Sequence, residues 1–394
     1  MKRSAVAVAI SVALLITLTG GCESKPEDEA AGGTYKLGAI LSLSGPQAGL
    51  GEPERRAIEM ELARVNEAGG VKGHKVEIIF EDDATDEAKA VTAASRLIDQ
   101  ESVIALMAAS GTGQSMSVRQ EVERAGIPQV SMAGGSVVTS EFSKWVFQTP
   151  WPNRIVVPYT LSQMQKAGIT KIGLLIDSGA YGKDGREVIV AHVAEYGIEI
   201  VSEEQFNRGD TDMTSQITKI RGDEPDALLL WAAGAEAATV LKNNSSLGGD
   251  DPLPVWGGPG NARIELIDGA GLAAEGFTFS AGKILIPEAY GKDSEEYAVA
   301  TGFIERFTEA YGTPPDIFAG HAYDAFHIII EAMKRLDEGF TPTDLRDEIE
   351  RTEGFVGVGG VFSFSPDDHN GLSESDMTLY RVEDGKWTLA REAK

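Results

Sequence analysis

From Tyr35 onward, short apolar runs alternate with longer stretches in which apolar positions recur every three or four residues. YKLGAILSL, KVEIIFED, SVIALMAA and IPQVSMA are of the first kind, and PERRAIEMELARVNEAGG, DEAKAVTAASRLIDQ and QSMSVRQEVERAG of the second. The former predict strands and the latter amphipathic helices. In the first helix Ile58, Leu62 and Val65 share a face, Pro53 stands near its start, and Gly69-Gly70 stops it. This is the βαβ rhythm of a parallel sheet covered on both faces.

The rhythm breaks at FQTPWPNR, where Pro150 and Pro152 flank Trp151, and then restarts. KIGLLID, IEIVSEEQF and DALLLWAA predict strands, and KDGREVIVAHVAEYG, DMTSQITKIRG and AEAATVLKNNSSLG predict helices. LPVWGG and GFTFSA are the next strand candidates. Two long helices follow, over roughly 294–311 and 317–338, and then the strand candidates GVFSF, DMTLYRV and KWTLA. The fold class is α/β, with two units of similar length joined near 149–152. The tail is too small for a third domain and is expected to return and complete both lobes.

Composition sharpens this picture in two places. The formal charge of −26 over 394 residues argues against a nucleic-acid partner, because phosphates would be repelled and no basic stripe is visible. It also argues against docking on anionic lipid through protein charge. A single cysteine, Cys22, allows no internal disulfide and no cysteine zinc site, and the five histidines are scattered, so no metal is expected.

Cys22 has its own context. Met1-Lys2-Arg3, an apolar run from Ala5 to Leu18, and Thr19-Gly20-Gly21 precede it. A positive start, a hydrophobic stretch too short to span a bilayer and small residues together read as an export signal over 1–21. Small residues directly before a cysteine resemble a bacterial lipobox, although Thr19 stands where leucine is favoured. Cys22 is therefore the expected lipidation site, and residues 22–34 an acidic, flexible tether. Cleavage would remove Lys2 and Arg3 and deepen the formal charge to about −28. The body would then be extracytoplasmic and meet the membrane only through lipid.

Four loops at the carboxyl ends of predicted strands carry candidate chemistry, since ligands sit there in open α/β sheets. ASGTGQS, Ala109 to Ser115, offers free amides at a helix start with the hydroxyls of Ser110 and Thr112. MAGGSVVTS, Met132 to Ser140, has the same features around Gly134, Gly135 and Ser136. Each alone could be an ordinary cap on a tight turn; as a pair they could hold a carboxylate with neutral donors. DSGAYGKDG places Tyr181 at a strand end in the second lobe, where its ring could close over a ligand. WGGPGNAR, Trp256 to Arg263, is the fourth. Glu81, Asp82 and Asp83 read as a solvated acidic run. GxSxG and a phosphate loop ending in Gly-Lys-Ser/Thr are both missing, and SGTGQS lacks the third glycine of a dinucleotide fingerprint. No enzyme and no cofactor are expected.

The sequence resembles the type I periplasmic binding proteins, in particular the branched-chain amino acid (Leu/Ile/Val) binding proteins of ABC transporters. Gly38 to Asp86 is similar to the family's opening strand-helix-strand throughout, and AYGKDG, AAGAEAATVLK, AAEGFTFS and HAYDAFHIIIEAM are similar to later blocks. The resemblance implies two Rossmann-like lobes with parallel central sheets, three hinge strands between them, and a cleft that closes on its ligand. Lobe 1 would be 35–150 with 281–365, and lobe 2 would be 151–280 with 366–394.

Carried over by position, the resemblance places the carboxylate-holding hydroxyl and amide at Thr112, with Ser110 and Gly111 adjacent. The next loop contributes Ala133 and Gly135 or Ser136, and the second lobe Tyr181. Three positions depart. An aromatic that often lines the first loop is Leu50, a second aromatic of the far lobe falls near Gly234, and the acidic residue that receives a ligand ammonium falls at Pro259 or Gly260.

The implied function is that of a monomeric, lipid-anchored substrate-binding protein that delivers a small carboxylate to an ABC permease and its ATPase. The ligand is either a branched-chain or other apolar amino acid, or a carboxylate without the ammonium, such as an aromatic acid. A ligand sensor that signals to a partner is the alternative role.

Overall fold

The computed structural model describes residues 33–249 and 251–390. The expected signal segment and Cys22 lie outside the described residues.

The first unit runs β1 (Tyr35–Leu41), α1 (Ala48–Glu67), β2 (Val76–Asp82), α2 (Glu87–Asp99), β3 (Leu106–Ala108), α3 (Thr112–Ala125), β4 (Gln129–Ser131), α4 (Val137–Ser140) and β5 (Val146–Gln148). Its strands pair in the order β2-β1-β3-β4-β5, all parallel. The second unit runs α5 (Asn153–Lys166), β6 (Lys171–Asp177), α6 (Ala180–His192), β7 (Glu199–Phe206), α7 (Thr214–Gly222), β8 (Ala227–Trp231), α8 (Glu236–Gly248), β9 (Val255–Gly257), α9 (Ile264–Ala270) and β10 (Thr278–Gly282).

The chain then returns to the first unit as α10 (Glu295–Tyr311), α11 (Ile317–Arg335), α12 (Pro342–Glu350) and the small antiparallel pair β11 (Phe355–Val356) and β12 (Val361–Phe362). It ends as β13 (Met377–Glu383) and β14 (Lys386–Leu389), which extend the second sheet antiparallel to β10, giving the order β14-β13-β10-β9-β8-β6-β7. Two α/β lobes are thus joined by three crossings: at Pro150–Pro152, after β10, and after Asn370. Residues 369 and 370 still run along β5, where Asn370 Nδ2 donates to the carbonyls of Gln148 (3.1 Å) and Pro150 (2.8 Å).

The strands ALLLW and LMA are fully buried, as central parallel strands covered by helices on both faces must be. α11 is almost wholly buried and packs against α1. The buried carboxylate of Glu61 in α1 binds the two long helices to it. It accepts from His327 Nε2 in α11 (2.9 Å), Arg306 Nη2 in α10 (2.9 Å) and Arg64 Nε (2.6 Å). Burial alone would raise the Glu61 pKa; the His327 hydrogen bond and the nearby positive charges outweigh it and hold it at about 2.

A depressed folded pKa gives stabilisation that is complete above the unfolded value and lost as pH falls through the folded one. Glu61→Gln should therefore cost about 2 kcal/mol near neutral pH. In thermal melts from about pH 6 to about pH 3, its Tm deficit against wild type should shrink. A deficit that holds constant on acidification would show that the carboxylate's charge contributes nothing.

Candidate functional site

The carboxyl ends of both sheets face one another across a cleft, and the loops there enclose a pocket of about 410 Å3, counting the part that opens to solvent. From the first lobe come Gln47 and Leu50 after β1, Ser110 to Thr112 after β3, and Met132 and Gly134 after β4. The second lobe gives Tyr181 in the first turn of α6, Ala233 after β8, and Pro259 and Gly260 after β9. Pro150 and Trp151 of the first crossing and Ile317, Phe318 and His321 of α11 complete the wall.

Of the residues singled out in the sequence, Leu50, Ser110, Gly111, Thr112, Gly134, Tyr181, Pro259 and Gly260 line this pocket. Ala133, Gly135 and Ser136 lie just behind it and are committed elsewhere. The carbonyls of Ala133 and Gly135 both accept from Gln148 Nε2, at 2.6 and 2.8 Å. Ser136 Oγ accepts from the Arg154 amide (2.7 Å). Gly135 makes room, since a Cβ there would stand 2.3 Å from Thr112 Cγ2. The lining of this loop falls to Gly134 and to its neighbour Met132.

Of the acidic run Glu81–Asp83, expected to be solvated, Asp82 and Asp83 prove to support the loop beside the site, while Glu81 pairs with Arg96. Asp83 is fully buried and accepts from Ser42 Oγ (2.7 Å) and the Thr85 amide (2.8 Å). Asp82 accepts from the amides of Leu43, Ser44 and Ala84. Together they fix the loop that carries Gln47 and Leu50. Read alone, the run gave no sign of this, because the partners lie about forty residues away in β1's loop.

Ser110 Oγ accepts from the Ser42 amide (3.1 Å) and donates to the buried carboxyl of Glu54. Burial, with the charges of Asp316 and Asp83, pushes the Glu54 pKa well up against the pull of that hydrogen bond. That upward shift favours the uncharged form and lessens the repulsion of an anion in front of the loop. Thr112 opens α3, a helix of 14 residues whose first amides have no partner within the helix. Its Oγ1 is buried and has no hydrogen-bond partner.

The Tyr181 hydroxyl oxygen is reached by the Gly260 amide, and its O–H has no acceptor. Its pKa is raised, by burial first and then by the charges of Asp177 and Asp184, so it is a neutral donor. Its ring stacks on Trp231, centroids 6.4 Å apart. Burial pushes His321 down to about 3, so its imidazole is neutral too. None of the described residues lining the pocket is acidic, and none carries a fixed positive charge.

The lobes touch across the mouth. Gln47 Oε1 accepts from Arg208 Nη1 (3.3 Å), and its Nε2 donates to the Ala233 carbonyl (3.5 Å). The Asp184 carboxylate of α6 accepts from the amides of Ser136 (2.7 Å) and Val137 (3.0 Å) in the opposite lobe.

A family model described as periplasmic binding protein matches residues 34–386. The chain belongs to that family. Leu/Ile/Val-binding protein homolog 7 of Brucella melitensis is 24% identical over 400 residues, covering 96% of this chain and 94% of that one. An extracellular ligand-binding receptor from Rhodopseudomonas palustris superposes with a TM-score of 0.84 at 27% identity, covering 90% of this chain and 99% of that one. The branched-chain amino acid transporter substrate binding protein of Streptococcus pneumoniae, in complex with isoleucine, does so with a TM-score of 0.78 at 25% identity, covering 90% and 97%.

This periplasmic binding protein is thus a substrate-binding component of the ABC-importer type. It works outside the cytoplasm and captures its ligand between two lobes. Its family and fold are those of a non-catalytic binder, and the described residues bring together no group of side chains placed to hold a metal. No helix among them is long and apolar enough to cross a membrane.

The sequence did not single out Gln47, Trp151, Ile317, Phe318 and His321 as lining. Trp151 had a usable signal, an aromatic between two prolines at the break in the α/β rhythm. His321 had none, standing in a helix that reads as apolar core.

Proposed function

We propose that this protein captures a small carboxylate lacking an α-ammonium and delivers it to a membrane permease driven by a separate ATPase, while lipid on Cys22 holds it at the membrane. One observation carries the ligand class: the pocket wall offers neutral donors and aromatic surface, and no carboxylate. The Ser110–Thr112 amides, the unpartnered Thr112 hydroxyl and the start of α3 suit a carboxylate. Tyr181 supplies a further neutral donor from the other lobe.

An α-ammonium would be buried against these donors with no counter-charge, at an effective cost of several kcal/mol, more than for a neutral polar group. The position where a carboxylate would meet it supports the same reading. A Cβ on Gly260 would stand 2.4 Å from the Ala232 carbonyl oxygen and 2.9 Å from Ala233 Cβ, so no side chain fits there without moving backbone. The relative from Streptococcus pneumoniae holds isoleucine; the lining here favours an acid without its amino group.

The test is a thermal-shift panel on the purified protein, with leucine, isoleucine, valine and phenylalanine beside benzoate, phenylacetate and aliphatic acids. A ligand that binds only the folded state stabilises it by about 2.7 kcal/mol at a hundredfold excess over Kd. Plain acids are expected to raise Tm and the amino acids to leave it unchanged. A shift with the amino acids alone would overturn the reading.

A further inference from the structure

The pocket wall holds a second pair of polar atoms that a carboxylate at Thr112 does not use. Trp151 Nε1 and His321 Nδ1 are both sealed from solvent, and neither has a hydrogen-bond partner. Trp151 is 1% exposed and His321 3%. The rings meet edge to face, centroids 5.2 Å apart at 65°. They come from different elements, the first crossing and α11, tied where Thr149 Oγ1 donates to the His321 carbonyl (3.0 Å). A buried donor or acceptor without a partner is costly, and native proteins leave few of them. Two such atoms on rings that touch, in the wall of a binding pocket, point to a ligand group that completes both.

Their chemistry restricts that group. The indole N–H can only donate. The imidazole is neutral, so Nδ1 carries either a lone pair or a proton, according to tautomer. A hydroxyl oxygen accepts from the indole, and it can donate to Nδ1 or accept from it. It therefore satisfies the pair in either tautomer. An ammonium has no lone pair for the indole, and a plain C–H edge leaves both atoms unmet.

We propose that Trp151 and His321 form a hydroxyl-recognition subsite, and that the ligand is a hydroxylated carboxylic acid whose hydroxyl bridges Trp151 Nε1 and His321 Nδ1. The inference rests on the carboxylate reading above and narrows it. Such a site rejects an analogue lacking the hydroxyl, because the buried partners are then left unpaired.

The test is calorimetric titration of the purified protein with matched pairs: benzoate against meta- and para-hydroxybenzoate, phenylacetate against its meta- and para-hydroxy forms. Leucine serves as the amino-acid control. At least one hydroxylated acid should bind about tenfold or more tightly than its plain counterpart. In His321→Phe, and separately in Trp151→Phe, that ratio should fall toward one. The comparison within wild type needs neither variant to fold. Equal binding of plain and hydroxylated acids would overturn the subsite and leave the carboxylate reading standing. Binding of leucine with no binding of any acid would overturn both.

Discussion

Replacing Asp184 by alanine should weaken ligand binding roughly 10- to 100-fold while leaving the ligand-free protein within about 1 kcal/mol of wild-type stability. Asp184 sits on α6 in the second lobe, and its two oxygens accept from successive amides, Ser136 and Val137, in the first. Asn153 Nδ2 donates to the same carboxylate from α5 (2.7 Å), and Asn153 Oδ1 in turn accepts from Trp231 Nε1 (3.0 Å), so the carboxylate is held in place before it meets the other lobe. Charge-assisted hydrogen bonds of this kind contribute about 1.5–3 kcal/mol each when kept from water.

Here that energy is spent on closing. In an open protein the amides and the carboxylate return to water, so folding loses little, but every closed, ligand-holding molecule loses the latch. Apparent affinity falls with the closed fraction. Asp184→Asn, which can still accept from one amide, should fall between wild type and alanine. Calorimetric Kd values, read beside the Tm of the ligand-free variants, check this. An unchanged Kd would mean that the contact does not help to close the cleft.

That latch marks the division between what the sequence made legible and what it did not. The α/β alternation and the two long helices could be read because each element carries its own periodicity. The helices expected over 294–311 and 317–338 are Glu295–Tyr311 and Ile317–Arg335. α1 begins at Ala48, so Pro53 lies inside the helix and not at its start, where it forgoes the hydrogen bond to the Gly49 carbonyl. LMA and QVS lie inside the apolar runs SVIALMAA and IPQVSMA and could be read from them, whereas VFQ is three residues beside the proline break, too short for a period to show. α12 was overlooked, although Thr341, Pro342 and Asp344 form a capping box with proline at its start, which was there to be read.

In the site, glycine-rich loops announced themselves, so Ser110 to Thr112 and Gly260 could be picked out locally. His321 could not. Its role arises only because α11, some two hundred residues beyond β3 in the chain, lays its first turns beneath the same cleft. A tertiary neighbour of that kind leaves no mark on the local pattern. In the loop after β4 Gly134 lines the pocket, whereas Ala133, Gly135 and Ser136 do not. The loop's glycines and serine carry the right chemistry, but Gln148 and Asp184 had already claimed Ala133, Gly135 and Ser136.

Gly282→Ala should cost about 2–3 kcal/mol of stability and also abolish tight ligand binding, although Gly282 does not line the pocket. It ends β10, where the chain makes its second crossing between lobes. A Cβ there would stand 1.9 Å from Cη2 and 2.0 Å from Cζ2 of Trp151, deep inside contact distance. The indole is fully buried and has no flexible end to swing aside. A Cβ on Gly359 would already lie 3.5 Å from its Cζ2, and His321 meets it edge-on. The methyl group must therefore push the indole toward the cleft or spread the crossing strands.

Either response changes the pocket wall and the hinge together, because one side chain belongs to both. The expected signature is a lowered Tm in thermal melts together with lost binding in calorimetry. A substitution at the sealed mouth, such as Asp184→Ala, should lose affinity while holding its Tm. If Gly282→Ala instead melts normally and binds normally, the indole is free to move, and Trp151 neither braces the hinge nor fixes the wall.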